Sequence, residues 1–250
     1  MRDILVGLIV FACLLAASLG SRALYERIPE RHRLGETETV VRLFAAFFVV
    51  MTSLVISLML NQARNTLESA DKSVHAYAVQ LILFDRTMRH YGAEETAAAR
   101  RALLAYTQQA ARRMGQSDPM ISSATAESLL RDTIEAVRAL KPADPEHVKL
   151  REELERRYSA IYEMRWSLVE QSEGTVPTAL TIMVTLWLIL IFATYGFRAP
   201  KNGFVATSFL VSSALIAGAM YLILDMDVPF DGLIQVSPAP LERVVAELSR

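Results

Sequence analysis

The chain has 250 residues, 52% of them hydrophobic and 21% charged, and a formal net charge of −1. Without a basic excess it lacks the electrostatic footprint of a nucleic-acid-binding protein. Its single cysteine, Cys13, excludes an intrachain disulfide.

Charged residues avoid four windows. The first runs from Ile4 to about Leu24, the second from Leu43 to Leu60, the third from Val176 to Phe197 and the fourth from Gly203 to Leu224. Each is long enough to cross a bilayer core as a helix, which takes about 20 apolar residues. None has the polar face of a soluble amphipathic helix. Arg2, a short apolar run and Ala16-Ala17-Ser18 also fit a cleaved signal peptide, but the run continues past that point and favours a membrane helix. The sequence therefore predicts an all-α integral membrane protein. Two N-terminal and two C-terminal transmembrane helices flank a helical extramembrane domain.

The expected boundaries are 1–62 for the first pair (about 4–24 and 43–62), 63–175 for the helical domain, and 176–225 for the second pair (about 176–197 and 203–225). A turn and tail follow at 226–250. From Leu67 the apolar spacing alternates three and four through Ala70, Val74, Tyr77, Leu81, Phe84, Met88 and Tyr91. That heptad stripe, with no breaker after Leu60, predicts that the second membrane helix continues as one long rod stopped by Gly92. Further helices are expected over about Ala93–Met114, from a cap at Ser122 or Ser123 through about Leu140, and over about Glu146–Glu173. Pro177 suits the first turn of the third membrane helix.

The two short connections, Ser21–Val41 and about Arg198–Asn202, carry Arg22, Arg27, Arg31, Arg33, Arg198 and Lys201. Short-loop arginine and lysine set orientation, so the charge count places these loops in the cytoplasm and the helical domain with both termini outside.

No nucleophile–base pair, phosphate loop or zinc-ligand spacing is present, and the chain is not read as an enzyme. No cofactor is implied. His32, His75, His90 and His147 show no ligand spacing and read as solvated helix positions. Asp225, Asp227 and Asp231 crowd the turn after the fourth membrane helix, with Pro229 to end the helix and Gly232 to permit the turn. Three carboxylates there could bind a hard cation. The spacing is not that of an EF-hand loop, and a turn that caps helices and pairs with arginine is the favoured reading. The membrane helices carry hydroxyls and small residues instead of charge. Ser208 with Ser212, and Ala214 with Gly218, suit close helix packing. Without an ionisable residue deep in a span, a proton-coupled pump is disfavoured, whereas a passive pore is not.

The segment Leu224-Asp225, Pro229-Phe230-Asp231-Gly232-Leu233-Ile234 and Ser237-Pro238 resembles a bacterial family that carries a bestrophin-like domain of unassigned function. Its signature positions here are Asp225, Pro229, Phe230 and Gly232. Asp85-Arg86, Tyr91-Gly92, Arg100-Arg101, Leu104 and Tyr106 support the likeness, as does the two-plus-two helix layout. Bestrophins are oligomeric, anion-permeable channels whose central domain lies in the cytoplasm. The resemblance thus implies a homo-oligomeric channel in the bacterial inner membrane, with the lipid bilayer and ions as partners, and an orientation opposite to the charge count. The second helix is the expected pore lining, with Thr52, Ser53 and Asn61 as polar positions and Phe47 or Phe48 as a constriction. The alternative is a non-transporting membrane scaffold or sensor whose helical domain binds a partner protein.

Overall fold

The computed structural model describes residues 2–25, 35–114, 124–197, 199–200 and 202–250. The described residues form eight helices: α1 (Arg2–Tyr25), α2 (Gly35–Tyr91), α3 (Ala97–Arg113), α4 (Ala124–Arg138), α5 (Pro145–Glu170), α6 (Thr178–Gly196), α7 (Gly203–Asp227) and α8 (Ala239–Leu248). Among these residues, α1, α2, α6 and α7 are long and apolar enough to cross a membrane. The chain divides into two compact units, one of Met1–Asn65 and Thr175–Asp227, the other of Thr66–Gly174 and Val228–Arg250.

In the first unit α1 packs on α6 and α7. Val10 and Leu14 of α1 share a buried cluster with Val184, Leu188 and Phe192 of α6 and Ala217, Met220 and Ile223 of α7. The approach of α1 to α6 depends on Gly196. A Cβ there would collide with the Ser18 carbonyl and the Ser21 hydroxyl, and small residues are what let helix backbones come close in lipid. With Val10, Leu14 and Ser18 buried in this way, the first apolar window is a packed element of the bundle. The small residues singled out on α7 are used differently. Ser208, Ser212, Ala214 and Gly218 are exposed, and a Cβ at Gly218 would meet nothing within 4 Å. Ser213 and Ala217 are the small α7 residues buried in the bundle. An apolar helix has no polar face to fix its rotation, so spacing alone did not single out the packed side.

Helix α2 is 57 residues long and unbroken, as the apolar window and the stripe behind it predict. It ends at Tyr91, before Gly92 (φ +153°). The expected second helix starts four residues later than predicted, because 93–96 form a turn. There the buried Thr96 hydroxyl donates to the Met88 and Gly92 carbonyls at 3.0 and 2.7 Å. Helix α5 starts at Pro145, with the Asp144 carboxylate accepting from the His147 amide at 2.9 Å. Pro177 stands one residue before α6, as its N-cap. The expected caps at Ser122 and Ser123, and Arg27, Arg31, Arg33, Arg198 and Lys201 of the connections, lie outside the described residues.

The second unit has one core. The α2 stripe Ala70, Val74, Tyr77, Leu81, Phe84 and Met88 packs with Leu103 and Tyr106 of α3, Leu130 of α4, Leu154 and Ile161 of α5, and Leu241, Val244 and Leu248 of α8. Helix α8 lies in the tail, where no helix was expected. Its i, i+3, i+7 apolar spacing is the amphipathic signature of a docked surface helix.

Candidate functional site

Viewed down its axis, the membrane part of α2 has two unlike faces. Ala45, Thr52, Met59 and Ala63 are buried in the bundle, and Phe48 rests against Trp187 of α6, ring centroids 6.2 Å apart. On the opposite side Leu43, Phe47, Val50, Leu54 and Leu58 are exposed, from 56% to 73%; Ser53, Ser57 and Asn61 are exposed with them. At about 100° per residue, positions 47, 50, 54, 57 and 61 fall on one stripe, and 53 flanks it. The five candidate lining residues therefore separate. Phe47, Ser53 and Asn61 share the open face. Thr52 is only 3% exposed, with an unpartnered hydroxyl. Phe48 is turned toward α6, although its ring still meets Phe47 edge-on at 6.1 Å. Ser57 joins the open face, its hydroxyl donating back to the Ser53 carbonyl at 2.8 Å. Such back-bonding satisfies a hydroxyl within the helix, as apolar surroundings require.

At one end of this unit the chain entering α6 is latched to its neighbours. The Asp227 carboxylate, 4% exposed, accepts from the Thr175 hydroxyl and the Val176 amide, both at 2.8 Å. Gln62, one residue past Asn61, donates from Nε2 to the same Thr175 hydroxyl at 3.4 Å. One carboxylate thus joins the end of α7 to the start of α6, and α2 reaches the joint through an amide.

The three carboxylates of the turn go separate ways. Asp225 is buried and accepts from the Tyr221 hydroxyl at 3.0 Å, Asp227 holds the latch, and Asp231 accepts from the Gly232 amide at 3.0 Å. Among the described residues no group of three or more His, Cys, Asp or Glu is arranged to hold a metal ion. Each of the three possible cation ligands, Asp225, Asp227 and Asp231, thus accepts from a hydroxyl or an amide. In the second unit the signature residues build a closed turn. The Pro229 carbonyl accepts from the Val236 amide at 2.9 Å, Phe230 is buried in the core, and Gly232 has φ +104°.

Another pair within the resemblance, Asp85 with Arg100, is a clamp that sequence spacing did not disclose. Asp85 is 1% exposed. Its two oxygens take Arg89 Nε and Arg100 Nε, each at 2.7 Å. The free ends of the same arginines donate to the last carbonyls of α8: Arg89 to Glu247 at 3.0 Å and Arg100 to Leu248 at 3.4 Å. Cations suit the C-terminus of a helix, where unpaired carbonyls and the helix dipole both favour positive charge.

Four membrane-length helices, a helical unit sharing the long α2, and a Pro-Phe-x-Gly turn after α7 define a multi-pass, all-helical membrane protein. The model of the Bestrophin-like domain matches residues 12–241, and the chain belongs to that family. A variant of a bacterial bestrophin homologue from Klebsiella pneumoniae superposes with TM-score 0.68 at 12% identity, with 97% of each chain covered. A second structure of that homologue gives 0.64 at 14% identity, covering 98% of this chain and 96% of that one. A structure described only as a membrane protein variant gives 0.61 at 14%, covering 99% and 97%. At such identities the likeness is one of fold. No curated protein sequence matches the chain.

Proposed function

We propose that the protein is a homo-oligomeric, anion-permeable ion channel of the bacterial inner membrane, with α2 of each subunit facing the axial pathway. The observation that carries this reading is the open face of α2. Within one protomer it is unpaired, it carries the hydroxyls of Ser53 and Ser57 and the amide of Asn61, and Phe47, Val50 and Leu54 make it apolar in between. Hydroxyls and amides pass ions of either sign without binding them tightly, and an apolar ring gates by dewetting. Family membership supports the channel class. For orientation we propose the arrangement that the family resemblance implies, with the helical unit in the cytoplasm, over the one expected from the charge count.

Planar-bilayer recordings of the purified protein test the reading. Unitary currents whose reversal potential follows an imposed chloride gradient support it. Silent bilayers across salts, voltages and pH, with insertion demonstrated, contradict it. A stoichiometric foreign subunit in native membranes, together with silence, would favour the scaffold or sensor.

A further inference from the structure

The buried stripe of α5 is Leu154, Ile161, Arg165 and Leu168: three aliphatic side chains and one guanidinium. Arg165 is 1% exposed. Its Nε and Nη1 are buried without a hydrogen-bond partner. The Trp166 ring lies 5.5 Å from Cζ, which attracts a cation but supplies neither an acceptor nor a negative charge. Within range of the Arg165 charge, Tyr77 and Tyr106 meet hydroxyl to hydroxyl at 2.6 Å, both buried. One phenol must donate to the other. The second phenolic proton then has no acceptor among the described residues. Among the described residues the arrangement holds guanidinium and phenol donors, one positive charge and no anion.

A guanidinium keeps its charge in a protein. A buried, uncompensated ion costs several kcal/mol, against a total stability of about 5–15 kcal/mol. Water would supply an acceptor but no charge. A carboxylate from a second subunit cannot reach a side chain enclosed within one protomer. The compensating group must be small, monovalent and negative.

We propose that Arg165, together with the spare hydroxyl proton of the Tyr77–Tyr106 pair, binds a single anion of halide size inside the helical unit. The ion is a fixed part of the core. It sits apart from the open face of α2, and the site does not depend on the channel reading.

The test is thermal unfolding of the full-length protein in detergent, with sodium chloride or bromide exchanged against sodium gluconate at constant ionic strength. A ligand held only by the folded state raises Tm saturably, so Tm is expected to climb with halide and level off. R165Q should abolish that dependence. Y77F and Y106F, which keep the shape and remove one hydroxyl, should each weaken the apparent halide affinity several-fold. Crystals soaked in bromide should show an anomalous peak beside Nε and Nη1 of Arg165. An ordered water and no bromide at that place would overturn the proposal. So would a Tm indifferent to halide, or a halide response that survives in R165Q. Should R165Q fail to fold, the tyrosine variants and the bromide peak decide. Conductance plays no part in these readouts, so silent bilayers would leave the anion site standing, and loss of the site would leave the channel reading standing.

Discussion

The Asp227 carboxylate at the end of α7 closes on the Thr175 hydroxyl and the Val176 amide, each at 2.8 Å, and so ties the last residue of one membrane helix to the entry of another. Removing it takes the acceptor from a partly buried amide and from the Thr175 hydroxyl. Losing such a partner costs about 1–3 kcal/mol. Asp227→Ala is expected to lower the thermal stability of the detergent-solubilised protein by that amount, and Asp227→Asn, which keeps one acceptor oxygen, by less. Thermal unfolding of the two variants beside the parent measures the difference.

Asp85 neutralises two arginines from a site 1% exposed. Asp85→Ala removes the carboxylate from both at once. Breaking a fully buried pair costs about 3–5 kcal/mol; the arginines here are 36% and 22% exposed, which reduces the expected loss to about 1–3 kcal/mol. Because those arginines also hold the carbonyls of Glu247 and Leu248, limited proteolysis should cut the C-terminal segment of Asp85→Ala sooner than that of the parent. Equal cutting rates would show that α8 is held by its apolar face alone.

Two glycines of the membrane unit should answer oppositely to the same substitution. Gly196→Ala places a methyl group against the Ser18 carbonyl and the Ser21 hydroxyl, with backbone in the way. Overpacking of this kind costs about 1–3 kcal/mol. Gly218→Ala meets nothing within 4 Å and should be neutral or slightly stabilising by helix propensity. The pair is compared by thermal unfolding in one detergent.

His147 is raised above its ordinary pKa. The Asp144 carboxylate is the main cause, with Nδ1 2.9 Å from Oδ1 as an ion pair by distance rather than an aligned hydrogen bond; the Tyr91 carbonyl, 3.1 Å from Nε2, adds to it. Asp144 is lowered, first by the His147 amide and then by its ring. A raised histidine contributes stability that is complete below its unfolded pKa of about 6.5 and fades as pH rises through the folded value. A lowered aspartate contributes above about 3.9 and fades as pH falls through its folded value. The window in which both act lies between these limits. His147→Gln should therefore lose more stability against the parent at about pH 5 than at about pH 8. An unchanging gap across that range would show that the ring acts through packing on Tyr91, whose ring centroid is 4.9 Å away.

The fold was legible where physics is local. Charge-free windows disclose the membrane helices because lipid tolerates nothing else there. The stripe from Leu67 to Tyr91 discloses the continuity of α2, because heptad spacing and the absence of a breaker act over neighbouring turns. The rotation of α2 was not legible. Thr52 and Ser53 are adjacent hydroxyl residues, yet one is buried and the other exposed. In a helix apolar all round, only the neighbours choose the face. Long-range polar partners were equally hidden: Asp227 meets Thr175 across 52 positions and Arg89 meets Glu247 across 158. The donors that meet Asp227 could not be read from its spacing to Asp225 and Asp231. Nothing in the local sequence of Arg165 marks it as enclosed.

Cysteine accessibility combined with current recording probes the open face of α2. In a Cys13→Ser background, single cysteines at 47, 50, 53, 54, 57 and 61 are compared with cysteines at 52 and 59, under a water-soluble thiol reagent applied during recording. The account predicts modification with loss of current at positions on the open face, and none at Thr52 or Met59. Reaction at Thr52 and Met59 with the open-face positions untouched, or no effect on current at any position, would contradict it.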